Sequence, residues 1–316
     1  MRSDEVRLNC GITIPVIGLG TYSSDNDNDR TEKAIHLALK MGYRHFDTAK
    51  IYGSEPAVGN ALRMAIEDQI IPREDVFLTS KLWSADHHDP VSALKHTLRR
   101  VGMEYIDMYL VHWPVKLKPW AFDAVPKEED FEKQLDMETT WERMQRCLDM
   151  DLCRCIGVSN FSTNKIENLL DFASVPPAVN QVEMHPMWRQ RRLRESCRKH
   201  NIHVSAYSPL GGPGNAWGST AVVQNPLITS IALKHKATPA QVALKWGISR
   251  GASVIVKSFN PERMKENTAS LDLKLDDEDL IEIDKLEERK IMRGDFLVND
   301  TTSPYKSLQD LWDYEI

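Results

Sequence analysis

The segment HFDTAKIYGSE, residues 45–55, places an acid, Asp47, and a phenol, Tyr52, in one short stretch that follows an apolar run and opens a polar helix. Two further residues of matching chemistry end apolar runs downstream, Lys81 in LTSKLW and His112 in YLVHW. Together the four can build a general acid. An unperturbed tyrosine, with a pKa of about 10, donates its proton poorly at neutral pH, and a neighbouring ammonium lowers that value by stabilising the phenolate. Lys81 supplies the charge, and Asp47 can pair with it, because a lone buried cation is costly. His112, as a neutral donor, can orient a carbonyl oxygen beside Tyr52. No cysteine or serine elbow offers a nucleophile, so hydride from a cofactor is the economical partner for the carbonyl carbon. Taken singly, each residue has an ordinary use: Asp47 as a helix cap, Lys81 as a solvated strand end, His112 as a satisfied core histidine, Tyr52 as packing. Their convergence on one mouth is what would make a site.

The elements that must bring them together repeat along the chain. Short apolar runs rich in β-branched residues alternate with longer amphipathic stretches. The runs are VIGLG (16–20), HFDTA (45–49), VFLTSKL (76–82), IDMYLVHW (106–113), CIGVSN (155–160), AVNQVEM (178–184), HVSAYSP (203–209) and SVIVKS (253–258). Between them lie stretches such as DPVSALKHTLRRVG and STNKIENLLDFA, opened by Asp or Ser and in the first case closed by Gly. Parallel strands need both faces covered, so the pattern predicts an α/β fold, a single-domain (β/α)8 TIM barrel over residues 1–316. EVRLNCGITIPVI predicts a small N-terminal β-hairpin capping the bottom of the barrel. Residues 114–137, 210–224 and the tail from about 288 break the repeat and read as large loops at the carboxyl-terminal face, where barrels place their chemistry.

Composition narrows the partners. The chain has 316 residues, 41% of them hydrophobic, and 46 acidic against 40 basic side chains give a net charge of -6. There is no global positive field for nucleic acid or an anionic membrane, so a small molecule is expected. The N-terminal stretch lacks the apolar run of a signal peptide, and no segment approaches the roughly 18 apolar residues of a membrane span, which predicts a cytoplasmic protein. Five scattered cysteines, Cys10, Cys147, Cys153, Cys155 and Cys197, suit neither a disulfide framework nor a metal centre, and no metal is expected.

GLGTY, GYRHFDTAKIYGSE, LTSKLW, YLVHWP, GVSNF, NQVEMHP, AYSPLG and VIVKSFNPERMKEN, in that order over nearly the whole chain, resemble the aldo-keto reductase superfamily. The resemblance implies an NADPH-dependent reductase, most often monomeric, and places the family's tetrad on Asp47, Tyr52, Lys81 and His112. It implies a cofactor site extended across the mouth, with Gly20, Thr21, Tyr22 and Asp47 beside it. Ser159, Asn160 and Gln181 would hold the nicotinamide carboxamide, Tyr207 would stack on the ring, and Ser208 and Leu210 would meet the pyrophosphate. Lys257, Ser258, Phe259, Asn260 and Arg263 would grip the adenosine 2'-phosphate, with Glu266 and Asn267 on the adenine. Charge-assisted bonds from Lys257 and Arg263 to a dianion near a helix start suit NADPH better than NADH. The usual dinucleotide fingerprint is missing, since GLGTYS carries two of its three glycines and no acid follows at the proper distance.

Tyr22, Trp83, His112, Trp113, Trp120, Phe122 and Trp217 are expected to wall the substrate pocket and to favour an apolar or ring-bearing carbonyl, with Phe296, Tyr305 and Trp312 of the tail closing over it. The ending LWDYEI and HWPVKLKPW are similar to a plant branch of the superfamily that includes codeinone, methylecgonone and chalcone-type reductases and deoxymugineic acid synthase, which implies specialised metabolism. Lys50 and Ile51 depart from the small residues many relatives carry before the tyrosine; Lys50 would alter substrate charge preference or point to solvent. A barrel that binds NADPH as a non-catalytic redox sensor is the alternative, and a lyase with Lys81 as a Schiff base is a second.

Overall fold

A computed structural model describes residues 4–316. Its first three residues, part of the stretch read for a leader, lie outside the described residues. Strands β1 (Glu5–Arg7) and β2 (Thr13–Pro15) form the antiparallel hairpin, with Val6 opposite Ile14. The remaining strands, β3 (Ile17–Gly20), β4 (His45–Asp47), β5 (Phe77–Leu82), β6 (Ile106–Val111), β7 (Cys153–Ser159), β8 (Val179–Glu183), β9 (His203–Tyr207) and β10 (Ser253–Val256), close into a barrel with β10 hydrogen-bonded to β3. Every neighbouring pair in it is parallel. The eight runs read from the sequence are these eight strands.

Outside the barrel lie α1 (Asn28–Lys40), α2 (Glu55–Glu67), α3 (Pro90–Val101), α4 (Met137–Asp149), α5 (Thr163–Leu170), α6 (Arg191–Lys199), α7 (Pro226–Lys234), α8 (Pro239–Ser249), α9 (Pro261–Ala269), α10 (Asp277–Ile283) and α11 (Leu308–Trp312). Side-chain caps open many of them. Asp89 accepts from Ser92 N at α3, Thr238 and Gln241 form a capping box at α8, and Asn260 accepts from Arg263 N at α9. The α2–α3 contact depends on one glycine. A Cβ at Gly59 would lie 2.1 Å from the Val101 carbonyl oxygen, closer than any side chain permits.

The core fills the space between strands and helices, with Leu19, Phe46, Leu78, Val111, Trp141 and Trp246 buried in it. At the amino end of the barrel, Leu8 and Ile14 of the hairpin pack on Phe77, Met108, Ala178 and Val179, so the hairpin caps the bottom. It also carries a covalent tie that the cysteine spacing gave no reason to expect. Cys10 and Cys155 form a disulfide across 145 positions, their Cα atoms 6.1 Å apart, because the hairpin turn folds onto the start of β7. Cys147, Cys153 and Cys197 are free and buried. Among the described residues, no helix is long and apolar enough to cross a membrane.

Candidate active site

Strand register delivers the polar residues to one level. Gly20 pairs with Asp47 and Asp47 with Thr79, Lys81 sits two residues further along β5, and Ser159 pairs with Gln181. Gly20, Asp47 and Ser159 end their strands, and Lys81 lies one residue from the end of β5. Tyr52 arrives from the chain after β4, where Lys50–Tyr52 form a single 3-10 turn closed by Gly53 in the left-handed region. Lys81 Nζ donates to Asp47 Oδ1 at 2.6 Å and to the Thr48 carbonyl at 3.0 Å, and it lies 4.9 Å from the Tyr52 ring centroid. Tyr52 Oη is 3.4 Å from His112 Nε2. Asp47 Oδ2 accepts from Gln181 Nε2 at 2.8 Å, so the buried ion pair has the extra hydrogen bond that makes such pairs tolerable.

Burial sets the protonation states. It drives His112 well below the ordinary imidazole value, helped by the Lys81 charge, so the ring is neutral. Burial also opposes charge on Lys81, but Asp47 and Tyr52 outweigh it and the ammonium is held above its ordinary value. Tyr52 departs from the sequence argument. Burial raises its pKa by more than Lys81 lowers it, and the net direction is up. The reason is that Asp47 already neutralises much of the ammonium while the phenolate would be cut off from water.

These residues open into a cavity of about 600 Å³ at the carboxyl-terminal face. Gly20, Thr21, Tyr22, Asp47, Tyr52, Trp83, His112, Trp113, Ser159, Asn160, Gln181, Tyr207, Ser208, Leu210, Trp217 and Lys257 all line it, with Lys81 buried beneath. The polar floor is interlocked. Ser159 Oγ donates to the Gln181 carbonyl, Asn160 Nδ2 to the His112 carbonyl at 2.9 Å, and Tyr207 Oη to Asn160 Oδ1 at 2.8 Å. Gln181 spends its N–H on Asp47, which leaves its Oε1 without a protein donor among the described residues.

Ser258, Phe259, Asn260, Arg263, Glu266 and Asn267 lie outside the cavity, beyond Lys257 on the loop before α9 and along α9 itself. Asn260 caps α9, Asn267 is buried, and Glu266 accepts the Thr238 hydroxyl at 2.5 Å.

Trp120 and Phe122 do not wall the cavity: they are 61% and 69% exposed. The 114–131 loop turns them outward, the Ala121 carbonyl taking the Trp83 indole N–H at 3.2 Å, and Ala124 and Val125 reach the cavity instead. Ile291, Met292, Arg293 and Asp295 also line it and went unnamed in the sequence, where the tail's departure from the βα repeat was the only signal; Ile51, noted there as a departure before the tyrosine, lines it too. Of the tail aromatics, Phe296 lines the cavity and meets Trp113 edge-on at 5.6 Å, while Trp312 packs on Trp113 from outside the cavity and Tyr305 bonds the Pro114 carbonyl. Lys50 points neither to solvent nor into the pocket. Its ammonium sits 2.6 Å and 2.8 Å from the two oxygens of Asp86, tying the turn that carries Tyr52 to the loop after β5.

A phenol and a neutral imidazole over a buried ammonium–carboxylate pair, at the mouth of a closed parallel barrel, fit a barrel oxidoreductase acting on carbonyl compounds. The chain belongs to the aldo/keto reductase family, whose model matches residues 16–288. It is 46% identical over 313 residues to deoxymugineic acid synthase 1 of Zea mays, covering 98% of each chain. It is 41% identical to aldo-keto reductase family 4 member C11 of Arabidopsis thaliana, covering 99% of this chain and all of that one. The (1S)-1,7-diacetoxy-luvungin A aldo-keto reductase of Citrus sinensis is 43% identical, with 96% of this chain and 95% of that one covered.

Proposed function

We propose that the protein reduces an aldehyde or ketone to the alcohol with NADPH, Tyr52 acting as general acid. The observation that carries this is the arrangement of Lys81 Nζ at 2.6 Å from Asp47 Oδ1, beneath a phenol whose oxygen lies 3.4 Å from a neutral His112. The residues present suit the cofactor. Ser159, Asn160 and Gln181 offer amide and hydroxyl groups for a carboxamide, Tyr207 offers a ring to stack on, and Lys257 and Arg263 offer charge to a phosphate. NADPH, when bound, supplies the hydride. His112 Nε2 holds the carbonyl oxygen against Tyr52 Oη, and Tyr52 passes its proton to that oxygen as negative charge develops there. Lys81 offsets the charge left on the phenolate, and Asp47 keeps Lys81 charged and in place. Trp83, Trp113, Trp217 and Phe296 exclude water and suit an apolar or ring-bearing carbonyl.

The likeness to plant enzymes named for specialised substrates supports a role in plant specialised metabolism, with the chain acting as a single-domain monomer in the cytoplasm. NADPH oxidation over a panel of aromatic aldehydes, aliphatic aldehydes and cyclic ketones, run beside Tyr52→Phe, tests the reading. Turnover in the parent and a loss of about 10²–10⁴-fold in the variant, with NADPH still bound, are expected. Binding without turnover in the parent would instead favour the redox-sensing barrel, and no binding would refute the cofactor assignment.

A further inference from the structure

We propose that Arg30, on the first turn of α1, is a third cationic contact for the cofactor's 2'-phosphate, and that Asp25 holds its guanidinium until the phosphate displaces it. The proposal rests on the reading of Lys257 and Arg263 as the 2'-phosphate grip, and it adds a residue from the opposite side of the barrel seam. β10 and β3 are neighbours, so the loop after β3 faces the loop after β10. Across that seam the Arg30 guanidinium lies 5.5 Å from the centroid of the Phe259 ring, and Lys257 Nζ lies 4.6 Å from the same centroid. Two cations share one aromatic ring, each drawn by its quadrupole and repelled by the other. Partial burial first, then the charges of Arg30 and Arg263, hold the Lys257 pKa below its ordinary value, with Asp25 opposing.

One carboxylate enters this group. Asp25 Oδ2 is 3.3 Å from Arg30 Nη1, while its Oδ1 takes the Ser23 hydroxyl at 2.5 Å and the Asp27 N–H at 3.4 Å. Arg30, Lys257 and Arg263 against Asp25 leave an excess of two positive charges, the charge of a phosphate dianion. Helix stability does not explain the placement, because a cation in a first turn opposes the helix dipole. The Arg30–Asp25 pair is about half exposed, with side-chain values of 54% and 47%, and pairs of that kind are weak. A phosphate that can accept two parallel guanidinium bonds competes well for Arg30. The sequence DNDNDR hides this, since a lone arginine among acids reads as a solvated helix start.

The test is a titration of the full chain with NADPH, NADH and adenosine 2',5'-bisphosphate, followed by tryptophan fluorescence. Arg30→Gln should raise the NADPH and bisphosphate Kd about tenfold and leave the NADH Kd unchanged. Asp25→Asn should move the other way and tighten NADPH, because it removes the competing carboxylate. A pair that merely shapes the 23–29 loop predicts instead that both variants weaken binding and that NADH suffers equally; either result overturns the proposal. Arg30→Lys, which keeps charge and loses the fork, should fall between parent and Gln. Lys257→Gln and Arg263→Gln separate the two levels. If they abolish NADPH preference and Arg30→Gln does not, Arg30 alone is wrong; if none of the three changes preference, the grip itself is wrong.

Discussion

On the proposed mechanism, Tyr52 must carry its proton at working pH and lose it only to substrate. Burial holds its pKa above the ordinary tyrosine value, and His112 is held neutral by burial and by Lys81, so neither group changes state through the neutral range. The protonated phenol is the form present below the Tyr52 pKa, and the neutral imidazole the form present above the His112 pKa. The rate of carbonyl reduction should therefore be level across the neutral range and fall only as pH passes the raised Tyr52 value. A pH–kcat profile with an alkaline limb in the parent and none in the residual activity of Tyr52→Phe is the expected result; a mid-range inflection would mean that His112 titrates. The gathering of Asp47, Tyr52, Lys81 and His112 was legible from residue type and from their positions at or just after strand ends. The direction of the Tyr52 shift was not, because it depends on how completely the site excludes water, which no local pattern records.

The tail and the strand that anchors it form the next scale. Glu183, at the end of β8, is fully buried and accepts from Ile291 N at 2.8 Å, Met292 N at 3.0 Å and His185 Nε2 at 3.0 Å, with Lys290 Nζ at 3.3 Å. Burial pushes its pKa up, but the His185 hydrogen bond and the Lys290 charge outweigh this and keep it ionised. Lys290 covers the Trp312 ring at 3.8 Å. One carboxylate thus pins residues 290–292, and the chain that follows supplies Arg293, Asp295 and Phe296 to the cavity wall. Removing it strands Lys290 in the interior. Glu183→Ala should cost about 3–5 kcal/mol of stability, and in the protein that still folds it should raise KM for bulky carbonyls far more than it lowers kcat. Glu183→Gln keeps an acceptor and should show the smaller KM change. Equal effects on KM and kcat would place Glu183 in the chemistry rather than under the wall.

Across the whole barrel, buried neutral histidines couple folding to pH. Burial lowers His45 and His203 to about 4 and His87 to about 3. His45 and His203 bond Thr79 and Ser253 hydroxyls between neighbouring strands. Their folded values lie below the unfolded value of about 6.5, so the unfolded chain binds protons first as pH falls. Stability is full above about pH 6.5 and declines towards about pH 4, at about 1.4 kcal/mol per pH unit for each histidine. Urea midpoints should therefore drop steeply over that window, and a midpoint independent of pH there would refute the account.

Strand identity, barrel closure, the hairpin cap and the meeting of Asp47, Tyr52, Lys81 and His112 at one mouth follow from the sequence alone, because each rests on a local pattern: apolar runs of strand length, turn residues, and polar side chains at or just after strand ends. Tertiary structure alone decided the rest. Trp120 and Phe122 look like pocket walls by type and turn outward; Lys50 finds Asp86; Cys10 meets Cys155; Arg30 meets Phe259. Each of these depends on how segments separated along the chain approach one another in the folded barrel. Loop paths are set by packing against the closed barrel and the tail, and residues joined by those paths share no periodicity that a linear sequence could display.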